Sequence, residues 1–526
     1  MKRVLALVLS LFLVFGMTCA YAESESLTVW AIESSHITDY STNGQSVWMQ
    51  EETGIDIEWI STPKNGWYHA FQASVMNNED IDIYLYDFDA SEASMLGSDM
   101  EYIIPLEEYI TPEITPNIYA ILEANPGLRE LITAPDGHIY TLFTSNAYNA
   151  YAYKQKLWVN RYFFEKYSRE TGCDLPQTTE ELEAMLVYFA ENDMNEDGEI
   201  NEIPFIGING VDGMYNLFGA FLPSESGNGY GCYLDDAGVL QFAYNQQEYR
   251  AALNFVANLY AKGLIHPDTF TISNEERFAY TSGNRSTVRA GVVVGVEASQ
   301  VVQLSDEADS MTYADYIPLA PVAGPNGVRT IVTAGEEITS LRNALTIHCE
   351  NPLLAMRWLD AGYSEVARMY AVYGGLENVD WAYTDGETVN GPGSVITAIH
   401  DIPENSTWNG QGVVYSITEA DYLTMDASNL GTNNSLATYR ANLEYRPYAI
   451  RSVWPTIVWP GQYTDEAAQY SEILGLVKSA VTEYYTDVIL GRKNLDADWD
   501  AYVAELNDMG LQRYLELTEL YMGITR

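Results

Sequence analysis

The sequence predicts an α/β protein, and three segments near its amino end carry the pattern. The segments "LTVWAI" (27–32), "IDIEWI" (55–60) and "IDIYLYD" (81–87) are each continuously apolar or alternate between apolar and polar residues, as short strands do. Helix-length stretches separate them, and the second of these spans Tyr68 to Met76. Strand, helix, strand, helix, strand is typical of a parallel sheet covered by helices.

Two residues near the ends of these strands are candidate ligand contacts. In open parallel sheets, ligands bind beyond the carboxyl ends of the strands. Trp30 and Asp87 lie near such ends. A core tryptophan and a helix-capping aspartate are the structural alternatives for the two residues.

A second α/β unit is predicted to begin near residue 151. The stretch "YAYKQKLWVN" (151–160) can extend as a strand, and a helix follows over 178–192. Thr178 and Glu181 form a capping box at the start of that helix. Further helices are predicted over 249–263, 351–363 and most of the chain after residue 464.

Composition narrows the function classes. The chain has 526 residues, of which 47% are hydrophobic, so it can bury a large core in two or more domains. Its formal net charge of −48 disfavours nucleic acid as a partner, because the long-range field repels phosphates. Aromatic residues make up 13% of the chain, which favours stacking surfaces for sugar rings, although the same residues also build cores.

The amino terminus has the pattern of an export signal. A basic pair, Lys2-Arg3, precedes an apolar stretch over residues 4–15, and Ala22 ends a small-residue cleavage site. We therefore expect cleavage after Ala22 and an exported chain, because no later run is apolar enough to cross a membrane. A lipid anchor at Cys19 is the alternative, although the residues before Cys19 match a lipoprotein signal poorly.

Three cysteines remain after the expected cleavage, namely Cys173, Cys232 and Cys349. They form no CxxC pair and no cluster with the six histidines, so a zinc site is not predicted. They allow at most one internal disulfide, whose pairing the sequence does not specify.

The segment "DMNEDGEINEIP" (193–204) predicts a calcium loop that differs from an EF-hand at its end. Asp193, Asn195 and Asp197 hold the first, third and fifth positions, and Gly198 holds the sixth, where the loop turns. Pro204 replaces the final bidentate glutamate and prevents an immediate second helix. The predicted ligands are Asp193, Asn195, Asp197, Glu199 through its carbonyl, Asn201 and Glu202.

The predicted role of bound Ca²⁺ is structural. The loop follows the 178–192 helix and leads into the strand-like "IPFIGI" (203–208), so a cation would fix a helix-to-strand turn and neutralise its carboxylates. A solvated acidic turn without metal is the alternative. A dockerin is not favoured, because dockerins carry two such loops and only one is present.

Several segments in order resemble the family 1 extracellular solute-binding proteins of ABC importers, especially the large subgroup with oligosaccharide- and alginate-binding members. The resemblance runs from about residue 26 to the end of the chain. It rests on these segments: "IIPLEEYITPEITPNI" (103–118), "PDGHIYTL" (135–142), "LPQTTEELEAML" (175–186) with the calcium loop, "LYAKGLIHPDTF" (259–270), "MYAVYGGLENVDW" (369–381) and "LDADWDAYVAELNDMGLQRYLEL" (495–517).

The resemblance implies a two-lobe, periplasmic-binding-protein-like fold of type II, with the ligand cleft between lobes that hinge strands join. It implies an N-terminal lobe of residues 23–150 plus about 330–370, and a C-terminal lobe of residues 151–329 plus about 371–526. It also implies a structural calcium ion on the predicted loop, a carbohydrate or other small solute as ligand, and ABC-transporter permease subunits as partners.

A sugar-binding cleft needs aromatic planes for ring faces and polar groups for hydroxyls. The candidates, besides Trp30 and Asp87, are Tyr373, Glu377 and Trp381 from "YGGLENVDW", and Trp454 and Trp459 from "RSVWPTIVWPGQY". Trp381 ranks first, because the two glycines before it predict a loop. A packed core aromatic or an exposed acid is the structural alternative for each.

Two other functions share these features. A peptide-binding or sensory receptor of the same fold also has an aromatic site, and a secreted glycoside hydrolase would use two carboxylates. The sequence contains no GxSxG, HExxH or phosphate-loop motif, and we do not expect an enzyme.

Overall fold

Strands and helices alternate along the chain in a computed structural model. The structure describes residues 26–33, 37–146, 152–208, 214–223, 230–333, 338–400, 404–408, 418–452, 454, 457, 459 and 464–522. The expected export signal, including Cys19 and Ala22, lies outside these residues. Within them, no helix has the length and apolar character needed to cross a membrane.

The strands are β1 (Ser26–Ile32), β2 (Asp56–Thr62), β3 (Ile83–Phe88), β4 (Leu142–Asn146), β5 (Lys156–Asn160), β6 (Ile203–Ile206), β7 (Cys232–Leu234), β8 (Leu240–Phe242), β9 (Ala290–Gly295), β10 (Tyr316–Leu319), β11 (Ile331–Thr333), β12 (Ile338–Leu345), β13 (Trp381–Thr388), β14 (Gly391–Ala398) and β15 (Ala449–Arg451).

The helices are α1 (Gly44–Thr53), α2 (Trp67–Met76), α3 (Ala90–Ser94), α4 (Pro116–Ala124), α5 (Pro126–Ile132), α6 (Arg161–Thr171), α7 (Thr179–Glu191), α8 (Tyr215–Phe218), α9 (Gln247–Ala261), α10 (Asn274–Thr281), α11 (Pro352–Ala361), α12 (Glu365–Tyr373), α13 (Glu419–Leu423), α14 (Asn434–Tyr445), α15 (Thr464–Ile489), α16 (Leu495–Asp508) and α17 (Leu511–Tyr521).

The chain divides into two compact units. The first comprises the residues up to Phe143, Leu341–Leu376 and Asp401–Tyr415, and the second comprises the rest. The chain leaves the first unit within β4 and re-enters it within β12, so strands connect the two units.

The first unit is built on a five-stranded sheet of order β2-β1-β3-β12-β4. β1 pairs in parallel with β2 and β3, which confirms the predicted parallel sheet, and β12 runs antiparallel to β3. The sheet is aromatic where β1 and β3 meet. Trp30 packs against Phe71, Tyr84 and Tyr86, with ring centroids 5.6 to 6.4 Å apart.

The second unit contains a four-stranded sheet of order β10-β5-β9-β6 and a larger core. β6 is an edge strand, which suits Pro204 because proline cannot donate a ladder hydrogen bond. The capping box that the sequence predicts is present, with Thr178 accepting from the N–H of Glu181. Helices α9, α15, α16 and α17 pack around the core, which Tyr249, Tyr484 and Tyr514 help to fill.

One segment belongs to a different unit from the one the sequence predicts. Residues 404–408 were expected in the C-terminal lobe, but they pack on the first unit. The Trp408 side chain is 1% exposed and donates its indole N–H to Ser46 Oγ at 2.8 Å. Its ring contacts Trp59 and Trp358, so a tryptophan cluster holds this short segment.

A buried carboxylate caps α4 from a distant part of the sequence. Asp360 accepts hydrogen bonds from the N–H of Ile118 at 2.9 Å and from Asn117 Nδ2 at 2.8 Å. It is 4% exposed, and burial raises its pKa. We expect Asp360→Ala to lower the free energy of unfolding by about 2 kcal/mol, because it removes a cap and leaves buried donors unpaired. Urea denaturation measures the change, and an unchanged midpoint would show that the cap contributes nothing.

A surface ion pair offers a test by titration. His138 Nδ1 lies 2.6 Å from Glu107 Oε1, and this hydrogen bond raises the pKa of His138 above its usual value of 6.5. We expect an NMR titration to place the His138 pKa above 6.5, and Glu107→Gln to lower it. A raised folded-state pKa means that the pair stabilises the fold fully below pH 6.5 and that this stabilisation is lost as pH rises through the folded-state value. Equal values in both proteins would rule out the pair in solution.

Candidate functional site

The carboxyl ends of β1, β2 and β3 form one edge of the first unit's sheet, because the three strands are parallel. The N–H of Glu33 donates to the carbonyl of Thr62 at 2.8 Å and ties the first two strand ends together. Ligands bind at this kind of edge in open α/β sheets. The side chains that follow the strands here form the candidate site, which we call the sheet-edge site; it consists of Trp67, Tyr68, Asp87, Asp89 and Glu92.

Two aromatic residues follow β2 at this edge. Gly66, with a φ of 84°, precedes α2, so the helix begins directly at Trp67. The Trp67 ring is half-buried, with its centroid 5.4 Å from that of Tyr86 and 5.5 Å from that of Tyr68. Tyr68 is 42% exposed. The two rings therefore offer partly exposed aromatic surface beside the strand ends.

Three acids follow β3 at the same edge. Asp87 is exposed and forms an ion pair with Arg342, whose Nε lies 2.6 Å from Asp87 Oδ1. Asp89 caps α3 by accepting the N–H of Glu92 at 2.8 Å. Glu92 accepts the hydroxyl of Tyr86 at 3.0 Å, and its charge raises the pKa of Tyr68. A carboxylate has about four acceptor positions, so each of these acids can take part in more than one hydrogen bond.

The structure contradicts the prediction for Trp30. Its side chain is 2% exposed and is enclosed by aromatic residues of the same sheet, so it is a core residue. Both faces of β1 are buried at this point, because Val29 and Ala31 on either side of Trp30 are 0% exposed as well. Asp87 lies at the predicted edge, and Tyr373 is half-buried at the end of α12 in the same unit.

The candidates in the second unit also differ from expectation. Trp381 is 3% exposed, because β13 begins at this residue and pairs with β14 over its whole length; the prediction of an accessible loop residue is wrong. Glu377 is exposed and forms an isolated bridge with Trp381. Trp454 is half-buried and stacks on Tyr470 at 5.1 Å, which is a packing contact. Trp459 is half-buried.

A polar group lies at the corresponding edge of the second unit's sheet. β6 and β9 are parallel, and Glu297 follows β9 at its carboxyl end. Asn434 Nδ2 donates to Glu297 Oε2 at 2.7 Å. The fully buried Lys156 donates to the carbonyls of Tyr153 and Val296, and burial lowers its pKa to about 7. The apolar runs 203–208 and 290–295 are the sequence signal for these strands. The sequence analysis did not identify the polar residues at their ends.

The predicted calcium loop is folded around its own acids. Asp193 accepts from the N–H groups of Asp197 at 3.1 Å and Gly198 at 2.9 Å. Gly198 has a φ of 94°, which explains glycine at the turn. Glu202 accepts from the N–H groups of Met194 at 2.5 Å and Asn201 at 3.0 Å, so it closes the loop from the tenth position.

The donor set of the loop suits a hard cation. Asn201 Oδ1, at the ninth position, is a buried oxygen without a hydrogen-bond partner among the described residues, so it is available as a cation ligand. The N–H of Glu199 lowers the pKa of Asp197, which keeps that carboxylate ionised. Among the described residues, no group of three or more His, Cys, Asp or Glu side chains has metal-binding geometry.

Among the described residues, Cys173, Cys232 and Cys349 form no disulfide. Cys173 is exposed, whereas Cys232 and Cys349 are buried. Burial raises the pKa of Cys349 to about 12, so this thiol stays protonated.

Comparison with known proteins identifies relatives over almost the whole chain, although no protein-family model matches it. The chain is 24% identical over 504 residues to the fructooligosaccharide ABC transporter substrate-binding protein FusA of Streptococcus pneumoniae, covering 90% of this chain and 85% of FusA. It is also 30% identical over 185 residues to the lipoprotein LipO of Bacillus subtilis, covering 32% of this chain and 33% of LipO.

Solved structures have the same fold. FusA in complex with kestose superimposes with a TM-score of 0.68 at 21% identity, covering 95% of this chain and 99% of FusA. An EF-hand mutant of FusA in complex with fructo-nystose gives a TM-score of 0.67. An HMO-binding, ABC-transporter-associated solute-binding protein of Bifidobacterium longum infantis gives a TM-score of 0.71 at 19% identity, covering 95% of this chain and 99% of that protein. These likenesses confirm the predicted two-lobe α/β fold class.

Proposed function

We propose that this chain, a homologue of ABC-transporter substrate-binding proteins, captures an oligosaccharide and delivers it to a membrane permease. The sheet-edge site is the observation that carries the proposal. It joins partly exposed aromatic rings to carboxylates, which can accept hydrogen bonds, at the edge where sheets of this type bind ligands.

The chemistry of the site suits a sugar. The faces of a sugar ring are apolar and stack on indole and phenol rings, whereas its hydroxyls donate hydrogen bonds to carboxylates. Tyr68 supplies an exposed ring, and Asp87 and Asp89 supply acceptors beside it. Binding requires no nucleophile, since the ligand leaves unchanged.

The charge of the site favours a neutral glycan. Three carboxylates lie at the edge, and the Arg342 guanidinium is already paired with Asp87. A uronate would bring further negative charge to these acids and to a chain with a net charge of −48. We therefore propose neutral oligosaccharides over polyuronates.

The second unit has candidate polar contacts of its own. Glu297 and Asn434 are its edge residues, and Glu377 is the predicted contact that remains exposed. Tyr373 of the first unit and Trp454 and Trp459 of the second unit remain proposals, each with a partly covered ring.

We also propose that Ca²⁺ binds the 193–202 loop as a structural ion. Asp193, Asn195, Asp197, Asn201 and Glu202 would bind it through side-chain oxygens and Glu199 through its carbonyl. The unpaired, buried Asn201 Oδ1 and the inward carboxylates support this assignment. The ion would neutralise the loop and fix the connection from α7 to β6.

Export through a signal peptide cleaved after Ala22 remains part of the proposal, with a lipid anchor at Cys19 as the alternative. Either route would place the chain outside the membrane, where it could meet its solute and the permease.

A thermal-shift screen with calcium present tests the function. The panel contains kestose, a human milk oligosaccharide, an alginate oligomer and short peptides. We expect a neutral oligosaccharide to raise the melting temperature by several degrees, because a ligand that binds only the native state stabilises it. A shift with peptides alone would favour the peptide receptor, and cleavage of a glycan would favour the hydrolase.

A further inference from the structure

A pocket separate from the sheet-edge site lies in the first unit, among α1, α4, α11 and α12. Its volume is about 640 Å³, within the range of about 300–1,000 Å³ that small-molecule sites occupy. Its walls include Trp48, Glu52, Glu113, Arg357, Ser364 and Val366. All of these belong to the first unit, so the pocket is complete within it.

The pocket is distinct from the sheet-edge site. α1 connects the parallel strands β1 and β2, so it runs antiparallel to them and ends near the amino end of β2. Glu52 and Thr53, which line the pocket, are the last residues of α1. The sheet-edge site lies at the opposite, carboxyl ends of the same strands.

An aromatic wall is fixed in place. The Trp48 ring stacks on Tyr370 with a centroid distance of 5.4 Å and an interplanar angle of 27°. Trp48 is half-buried and lines the pocket. The stack holds the indole as a flat apolar surface whose position does not depend on a ligand.

Charged side chains of both signs line the pocket, and three of them form no ion pair or hydrogen bond with a described residue. Arg357 is exposed and has no ion pair or hydrogen bond with any described residue, and the same is true of Glu52 and Glu113. An arginine without a partner is unexpected in a chain with 74 acidic and 26 basic residues. The neighbouring Asp360 differs, because its carboxylate already caps α4.

These groups define the class of ligand. Two glutamates disfavour an anion, and a simple cation would engage only the glutamates and leave Arg357 without a partner. An apolar ligand would leave all three charges desolvated and unpaired. A neutral polyhydroxylated ring can donate to the glutamates, accept from the arginine and stack on the indole.

We propose that this pocket is a second carbohydrate site, which binds one or two neutral sugar rings independently of the proposed transport ligand. Trp48 is the stacking platform, and Arg357 and Glu113 bind hydroxyls. Because the charged side chains of the pocket are exposed and water competes for them, we expect weak binding that is detectable at millimolar sugar.

The test follows the indole signals of the full chain, which has 11 tryptophans. Chains labelled with ¹⁵N-tryptophan are titrated with sucrose, maltose and kestose, and the Trp48 signal is assigned by its loss in Trp48→Phe. We expect this signal to shift saturably. Arg357→Ala should raise the apparent Kd by about tenfold, because it removes a hydrogen bond to a charged group. Arg129→Ala, in α5 outside the pocket, is the control and should leave the Kd unchanged.

The Trp48 signal reports on the pocket alone. The test therefore remains valid whether or not the sheet-edge site binds an oligosaccharide. A Trp48 signal that does not move with any of the three sugars overturns the proposal. So does an equal Kd in the wild type and Arg357→Ala, or a shift that appears with a tripeptide and with no sugar.

Discussion

Removing calcium is expected to lower the melting temperature of this chain by several degrees. The 193–202 loop directs the carboxylates of Asp193, Asp197 and Glu202 to its own backbone N–H groups. A bound cation would offset their mutual repulsion and use the unpaired Asn201 Oδ1. Calcium at a thousandfold excess over its Kd stabilises the native state by about 4 kcal/mol, and EGTA removes this contribution. Differential scanning calorimetry with calcium and with EGTA measures the difference.

Two variants separate metal binding from loop structure. Glu202→Gln keeps a hydrogen-bond acceptor for Met194 but removes one charge, so the melting temperature should respond less to calcium. Asp235→Asn is the matched control, because Asp235 also accepts N–H groups within its own turn, from Ala237 and Val239. We expect the same response to calcium in this variant as in the wild type. A melting temperature that is identical in calcium and EGTA would mean that the loop is a metal-free acidic turn.

Tyr68→Ala is expected to weaken oligosaccharide binding by about tenfold or more, and Trp67→Ala by a similar factor. A stacked aromatic contributes about 1 kcal/mol beyond the area that it buries, and truncation also removes apolar contact with the sugar ring. Tyr68 is 42% exposed, so its loss should leave the fold intact. Isothermal titration with the oligosaccharide identified by the thermal-shift screen measures the affinity.

A variant of a second tyrosine distinguishes between two locations for the oligosaccharide site. Tyr383 is 48% exposed on the β13–β14 hairpin, next to the predicted contact Trp381. If the sheet-edge site holds the ligand, Tyr383→Ala should bind with wild-type affinity. Loss of affinity in Tyr383→Ala, together with wild-type affinity in Tyr68→Ala, would show that the ligand binds at the hairpin and not at the sheet-edge site.

The fold was predictable from local patterns because its elements are locally encoded. The predicted strand at 27–32 is observed as Ser26–Ile32, and the predicted helix at 178–192 is observed as Thr179–Glu191 with its capping box. Alternating polarity and a capping box act within a few residues, so the sequence displays them directly. Residues 404–408 were assigned to the wrong unit because long-range contacts of Trp408 decide their position.

The site was less predictable because burial is a tertiary property. Trp30 and Trp381 were chosen for their position beside a strand end and a glycine pair, yet both are almost fully buried. Trp67 and Tyr68 directly follow Gly66 after β2, and that glycine before an aromatic pair was the signal that could have identified them. Asp87 was identified correctly as an edge residue because it lies in the strand itself.

Recovery of the bound ligand tests the central claim most directly. The purified chain is saturated with kestose or the best neutral oligosaccharide of the screen, freed of excess sugar, and unfolded, and the released sugar is analysed by mass spectrometry. We predict one tightly held oligosaccharide per chain, released with every glycosidic bond intact. Release of shortened sugar would identify a hydrolase, and the absence of any retained glycan would contradict capture.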